Sequence, residues 1–452
     1  MNRAFRGSAM AVSQPPAPVQ FAVPALVPLL RRLDLLILLL AKTYLLVDAF
    51  NGFLLQQYGQ GLPLSAAYKS LLMVLMLLSC GLTLGRRIAL LPALMAALCV
   101  GPFVSYLQHG HAPGLSYDLG MVLKLFAPLL AAWYCFGLCQ RDAALAQRNL
   151  HQLMWIGFAI IVLNLVLGRM GYGLSAYLPS DYFPDQKLGS KGFFKATNEL
   201  SALLLVFSAY LFAWYWPRQK IVFVLVLLLS LFCSATLLTK TGNAGVLLLA
   251  LLIPFLQARQ TWLPYQRPIR LVVGGLVIAM LILAWQLPAI LPLLPLSEKQ
   301  QLVLQHQGAI GIVLSNRDVF VWDNWLLVEQ YFPDWQQLLG VGNAGLALYS
   351  SKPLAEIDPA DLFLWFGIAG LAWYVLWFAG ILRLALICWQ QAPQSVAAGV
   401  LALNGLLLVV ASMAGHVLTS GMLWIPWGML NGAWLLWYSV PSDTQESSHA
   451  TQ

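Results

Sequence analysis

Apolar residues fall along this chain in long runs separated by short polar intervals. Twelve runs stand out: 33–55, 65–83, 88–107, 119–139, 150–168, 193–215, 220–239, 243–258, 270–292, 361–384, 395–415 and 419–439. A helix needs roughly 20 largely apolar residues to cross a bilayer, so the pattern predicts about 12 transmembrane helices. The 243–258 run is short, and 33–55 contains Lys42. Two intervals are much longer than the others. Residues 169–192 are polar, with Asp181, Asp185, Lys187 and Lys191. Residues 293–360 form the one large extramembrane piece, a length that usually signals function. The expected organisation is a tail at 1–32, nine helices over 33–292, a loop over 293–360, three helices over 361–440 and a polar tail at 441–452. The fold class is an all-α polytopic membrane protein.

Composition agrees. The chain is 60% hydrophobic and 9% charged with mean hydropathy +0.75, against about 25% charged in soluble domains. That excludes a soluble enzyme, a secreted disulfide scaffold and a nucleic-acid binder. The six cysteines lie in or beside apolar runs. Cys135 and Cys139, four apart, read as small buried residues rather than as a metal or redox pair. The net charge of +8 reports topology. With the N-terminus inside, fourteen Lys and Arg fall on inner segments and eight on outer ones, while Lys42, Lys69 and Lys124 lie within spans. This positive-inside bias places both termini in the cytoplasm and the 293–360 loop on the outer face.

Twelve of the 17 acids fall on the outer side or its boundary in this topology. Lys69, Lys124, Lys195, Lys240 and Arg317 also lie on the outer half. One reading is snorkelling, in which each lysine reaches the interface alone. The other is a shared anionic site, because charge within a membrane usually faces a cavity or a partner. Several cations on different helices suit a phosphate or pyrophosphate, which an arginine fork can grip at two oxygens. The outer face has no nucleotide supply, and no phosphate-binding glycine loop opens a cytoplasmic domain. A lipid-linked phosphate is therefore the expected donor.

Four local motifs carry candidate chemistry. Phe193-Phe194-Lys195-Ala196-Thr197-Asn198-Glu199-Leu200-Ser201 opens a span, with Lys195 and Glu199 spaced as a helical ion pair. Thr239-Lys240-Thr241-Gly242-Asn243 joins two spans. Ser315-Asn316-Arg317-Asp318 lies in the large loop. Glu356-Ile357-Asp358-Pro359-Ala360-Asp361-Leu362-Phe363 leads into Gly367-Ile368-Ala369-Gly370. Asp358 before Pro359 suits a helix N-cap, but capping leaves the clustering of three acids unexplained.

The order of these motifs, on one membrane face, resembles the O-antigen polymerase and O-antigen ligase family over about residues 150–440. Capsule-type and O-antigen polymerases look closest; ligases typically show a histidine where this chain has Glu356–Asp358, and His306 lies in the same loop in another context. The resemblance implies a GT-C-like glycosyltransferase of the bacterial inner membrane, with its site facing the periplasm and neither metal nor cofactor. Donor and acceptor would be undecaprenyl-pyrophosphate-linked glycans. The bilayer, a flippase and a chain-length regulator are the other partners it implies, with no nucleic acid. Under that reading Arg317 stabilises the leaving pyrophosphate, supported by Lys195 and Lys240, with Lys69, Lys124 and Arg169 as further cations. Asp358 or Glu356 takes the acceptor proton. Asn198, Glu199 and Asp361 help bind substrate, and Trp322 and Trp325 either stack on sugar or anchor the interface. The rival readings are a ligase, which differs only in its acceptor, and a non-enzymatic flippase, whose charges should instead cross the midplane.

Overall fold

The computed structural model describes residues 26–59, 62–84, 88, 90–110, 112–177, 188–265, 282, 286 and 314–438. The expected span 270–292 lies outside this set apart from residues 282 and 286. Both tail ends, Arg86, Arg87, Asp181, Asp185, Lys187 and His306 lie wholly outside it.

The chain is a polytopic α-helical membrane protein. Helices α1 (Leu26–Tyr58), α2 (Leu64–Leu84), α3 (Leu90–His109), α4 (Ala112–Arg141) and α5 (Ala143–Arg169) come first. Strands β1 (Leu174–Tyr177) and β2 (Leu188–Gly192) follow, then α6 (Thr197–Tyr215), α7 (Lys220–Leu237), α8 (Lys240–Gln257) and the short α9 (Arg259–Trp262). Beyond residue 313 come α10 (Arg317–Tyr331), α11 (Asp334–Leu339), α12 (Gly342–Leu346), α13 (Asp358–Gln391), α14 (Ala397–Met413), α15 (Trp424–Gly432) and α16 (Trp434–Tyr438). Among the described residues eight helices are long and apolar enough to cross a membrane.

Helix ends follow from local chemistry. The Asp142 carboxylate accepts the Leu145 N–H at 2.9 Å and starts α5, and the Thr239 hydroxyl accepts the Gly242 N–H at 3.1 Å and starts α8. Without a hydrophobic drive between helices in lipid, packing relies on small residues and polar contacts. Gly428 and Gly432 of α15 lie against the backbone of Pro128 and Ala132 in α4. Ser208 meets Ser230 at 2.9 Å, Asn404 meets Asn431 at 2.7 Å, and the Lys42 ammonium donates to Asn149 and Gln152, each at 3.0 Å. The most enclosed span is α6, whose apolar window is 78% buried against 22% for α2. The helix opened by the Lys195–Ser201 motif is thus the centre of the bundle.

Two features depart from a plain helical bundle. Part of the polar 169–192 interval forms a small antiparallel two-stranded sheet, β1 on β2. Asn164 near the end of α5 holds it, accepting the Phe193 N–H at 2.8 Å and donating to the Lys191 carbonyl at 3.1 Å. The second is a break in α13 at Gly367, which has φ +60°. The break leaves the Leu364 carbonyl to accept the Val341 N–H at 2.9 Å, and Gly340, with φ +86°, packs directly on the backbone at Gly367. A side chain at either glycine would overlap backbone atoms of the other segment. The Gly367–Gly370 motif is therefore where the large loop docks into the bundle.

Candidate functional site

Arg317 opens α10 after Ser315 and Asn316, both in the left-handed region at φ +56° and +67°. Asparagine tolerates that conformation better than most side chains, which gives the Ser-Asn-Arg sequence a local cause: it turns the chain so that Arg317 faces the bundle. Its Nη2 and Nε donate to the same oxygen of Glu356, Oε2, at 2.9 and 3.2 Å. The other oxygen, Oε1, has Lys352 Nζ at 4.0 Å. Lys352 also lies over the Phe320 ring, 3.6 Å from its centroid, a cation–π contact. Glu356 itself holds a left-handed backbone, φ +66°.

Direct contacts link this pair to the other motifs. Lys240 Nζ reaches Ser315 Oγ at 3.4 Å. Thr239, the cap of the Lys240 helix, shares a 2.6 Å hydrogen bond with Ser201 of α6. Glu199, two residues before Ser201, hydrogen-bonds Ser420, whose hydroxyl in turn accepts the Met422 and Leu423 N–H groups at 3.2 Å each. Segments far apart in sequence thus meet at one end of the bundle, and two of the expected cations, Arg317 and Lys240, share a neighbourhood.

The acids divide by role. Asp358 does not cap α13: the capping position is Ile357, and the Asp358 carboxylate is buried elsewhere. It accepts the N–H of His416 at 2.6 Å and those of Val417 and Leu418 at 3.0 Å each. This corrects the expected cap, because three amides from another segment outweigh one at the helix's own start. Asp361 similarly accepts the Ala355 and Glu356 N–H groups at 2.9 and 3.0 Å. Asp118 of α4 accepts those of Asn343 and Ala344 at 2.8 and 3.3 Å. All three are buried carboxylates holding loop backbone, where charge-assisted bonds are strongest. The clustering of acids at 356–361 thus has a structural component, and Glu356 is its more exposed member.

Other expected residues stand apart. Lys69 pairs with Asp48 at 2.6 Å between α1 and α2, and Asp48 also takes the Ser65 hydroxyl. Lys195 forms no ion pair with Glu199, which turns to Ser420; Lys195, Arg169 and Lys124 are exposed, Lys124 within α4. The Lys124 ammonium approaches the Met121 sulfur at 3.9 Å. Asn198 is half-buried on the first turn of α6. Trp325 stacks on Phe363 with centroids 6.0 Å apart, which makes it packing between α10 and α13, whereas Trp322 is 61% exposed. No three His, Cys, Asp or Glu among the described residues converge to hold a metal ion.

Three residues near the pair were not singled out by sequence reasoning. Lys352 shares the arginine's partner. His416 is set by Gly415, which at φ +58° packs on the Glu356 backbone, and by the Asp358 contact. Tyr177 donates to the Leu238 carbonyl at 3.4 Å, just before the Thr239 cap. Burial pushes the Tyr177 phenol up, and the Arg317 guanidinium pulls it back. Each lies in an unremarkable local sequence, so only tertiary contact reveals it.

Residues 294–425 match the protein family described as O-antigen ligase like membrane protein. The match contains Arg317, Glu356, Asp358, Asp361, the Gly367 break and His416, and supports the O-antigen ligase and polymerase family that the motif order suggested. No curated protein matches the chain.

Proposed function

We propose, from the O-antigen ligase-like domain at 294–425 as premise, that this membrane protein of glycan assembly is a polymerase of lipid-linked repeat units. The donor is a glycan on undecaprenyl pyrophosphate, the acceptor a sugar hydroxyl on a second lipid-linked unit, and the site faces the periplasm across the inner membrane. The observation that carries this reading is the arrangement of Arg317 on Glu356 beside Lys240.

The arginine engages one carboxylate oxygen only, so a pyrophosphate that offers more oxygens and more charge competes well for the same fork. Once Arg317 turns to phosphate, Glu356 keeps only the longer contact with Lys352, and its Oε2 is left open beside the reacting sugar. The acceptor oxygen then bonds to the anomeric carbon as the carbon–oxygen bond to phosphate breaks. The pyrophosphate leaves on its lipid, its charge met by Arg317 and Lys240, and the acceptor proton passes to Glu356. Lys195, Asn198, Arg169 and Lys124, exposed or half-buried, are available to further phosphate or sugar groups. Asp361 acts by holding the segment that carries Glu356, and Asp358 by holding the 416–418 backbone that follows Gly415, which packs on that segment. Trp322 is free to meet sugar or the interface. A flippase and a chain-length regulator are the expected functional partners.

A ligase is the second reading, favoured by one observation: His416 is brought beside Glu356 from another segment. Gene deletion followed by a gel of surface glycan separates the two. Lipid carrying one repeat unit indicates a lost polymerase; long chains kept on the carrier indicate a lost ligase. Unchanged surface glycan overturns both.

A further inference from the structure

Tyr177 is the last residue of β1; two ties fix the small sheet and a third fixes the ring. The Asn164 contacts fasten the sheet to α5. The Thr197 hydroxyl donates to the Ala176 carbonyl at 3.3 Å, fastening β1 to the start of α6. The Tyr177 hydroxyl donates to the Leu238 carbonyl at 3.4 Å, fastening the ring to the turn between α7 and α8. That turn is the one that presents Lys240: Leu238 takes a left-handed φ of +55°, Thr239 caps α8, and Lys240 reaches Ser315, two residues before Arg317. The residue is nevertheless 45% exposed. An aromatic side chain held by its polar tip, half-exposed and within reach of Arg317 and the Lys240 turn, is placed to bind something both apolar-faced and anionic.

We propose that Tyr177 is a saccharide platform, on which the donor sugar joined directly to the pyrophosphate lies while Arg317 and Lys240 hold the phosphates. The proposal rests on the polymerase reading above and adds the recognition of the sugar to it. A pyranose presents C–H groups on its faces and hydroxyls around its rim, so its face packs on an aromatic ring while its rim stays hydrated or hydrogen-bonded. A ring fixed by backbone ties keeps its orientation and loses little freedom on binding. The influence of the Arg317 guanidinium on the Tyr177 phenol agrees with such proximity. Trp322, on the exposed side of α10, lacks this anchoring: no ring contact or side-chain hydrogen bond fixes it among the described residues, and it serves as the comparison aromatic.

The test measures binding of two probes to the purified full-length protein in detergent: undecaprenyl pyrophosphate bearing its glycan, and the same lipid without sugar. Tyr177→Ala should weaken the glycosylated probe by roughly three- to tenfold, the size of one aromatic contact, and leave the bare lipid unchanged. Tyr177→Phe keeps the ring but loses its tie to the Leu238 carbonyl, so it should weaken the glycosylated probe less than Tyr177→Ala does and leave the bare lipid unchanged. Equal weakening of both probes by Tyr177→Ala, or of neither, overturns the platform, and so does a sugar-selective loss found in Trp322→Ala but absent from Tyr177→Ala. Arg317→Ala reports separately on the underlying reading. It should weaken the bare lipid too; normal binding of the bare lipid by that variant removes the phosphate site whatever Tyr177 does.

Discussion

Two arginine–carboxylate pairs occupy opposite ends of this bundle, and they are built differently. Arg141 meets Asp34 with Nη2 at 2.9 and 3.0 Å from the two carboxylate oxygens and Nε at 3.2 Å. Ser79 donates to the same carboxylate at 3.2 Å, and both side chains are at most 10% exposed. Three helices, α1, α2 and α4, are joined there. Arg317 meets Glu356 at one oxygen, the second oxygen has only Lys352 at 4.0 Å, and the glutamate is 26% exposed on a left-handed backbone. A closed, multiply bonded pair is suited to holding helices together, and a one-sided, half-open pair is suited to being exchanged for a ligand. The comparison separates structural from functional charge more sharply than burial alone.

The largest effects should fall on these arginines, in opposite ways. Arg141→Ala leaves the Asp34 carboxylate buried without its cation, a change that costs about 3–5 kcal/mol, and should remove most folded protein from the membrane. Arg317→Ala should leave protein accumulation near normal and abolish glycan extension. Arg317→Lys should also extend poorly, since a point charge does not reproduce the fork. Membrane immunoblots beside a surface-glycan gel check both. Near-full polymer from Arg317→Lys reduces Arg317 to a generic counter-ion, and normal accumulation of Arg141→Ala dissolves the contrast.

Next comes Glu356→Gln, which keeps the side chain's size but removes both the charge that holds Arg317 and the proton acceptor. If Glu356 stands in for phosphate at rest, the variant should bind lipid-linked donor more tightly than wild type while turnover falls by about two to four orders of magnitude. Donor binding and chain-length distribution, measured on purified protein without nucleotide, separate the two effects. Weaker donor binding would show that Glu356 supports the arginine rather than competing for it.

Much of this was legible in the sequence, for physical reasons that differ between fold and site. Membrane spans announce themselves because a bilayer demands long apolar runs, and helices such as α2, α5 and α7 fall within a few residues of the expected bounds at most ends. Arg317 stood out as a candidate because an arginine in a long loop of a sparsely charged chain has few other duties, and its part in the chemistry is the one proposed above. The roles of Asp358 and Asp361 were not legible, because a carboxylate before a proline looks the same whether it caps its own helix or holds a loop 58 residues away. His416 and Tyr177 were invisible for the same reason: their neighbours are set by the α14–α15 loop and by the small sheet, and no local pattern encodes those contacts.

Asp358→Asn tests the corrected role with an intermediate effect. A helix cap tolerates asparagine, so a capping aspartate would lose almost nothing. A carboxylate accepting three amides would lose more, because the new NH2 group faces a donor and leaves buried N–H groups unpaired, at about 1–3 kcal/mol. Thermal unfolding in detergent should show a clear drop, with activity falling as the 414–418 loop and Glu356 lose their register. A silent substitution would return Asp358 to the helix end.

The smallest effect is expected at Lys69, and it bears directly on which cations belong with Arg317. Lys69 and Asp48 form a 2.6 Å pair between α1 and α2, at 14% and 6% side-chain exposure. Removing one partner alone strands a buried charge and should lower stability by about 3–5 kcal/mol, so single variants confuse folding with function. The double variant Lys69→Met with Asp48→Asn avoids this: it removes both charges together, and the substituted amide can still accept the Ser65 hydroxyl. Replacing a buried ion pair by groups of similar volume is often neutral, so the double variant should accumulate normally. If Lys69 acts only within its pair, polymer length and donor binding should stay within a few-fold of wild type, in contrast to Arg317→Ala. If instead Lys69 helps hold the pyrophosphate, the double variant should accumulate and yet lose donor affinity as the arginine variant does. Donor binding to the purified double variant therefore decides whether the cation site ends at Arg317 and Lys240 or extends across the bundle to α2.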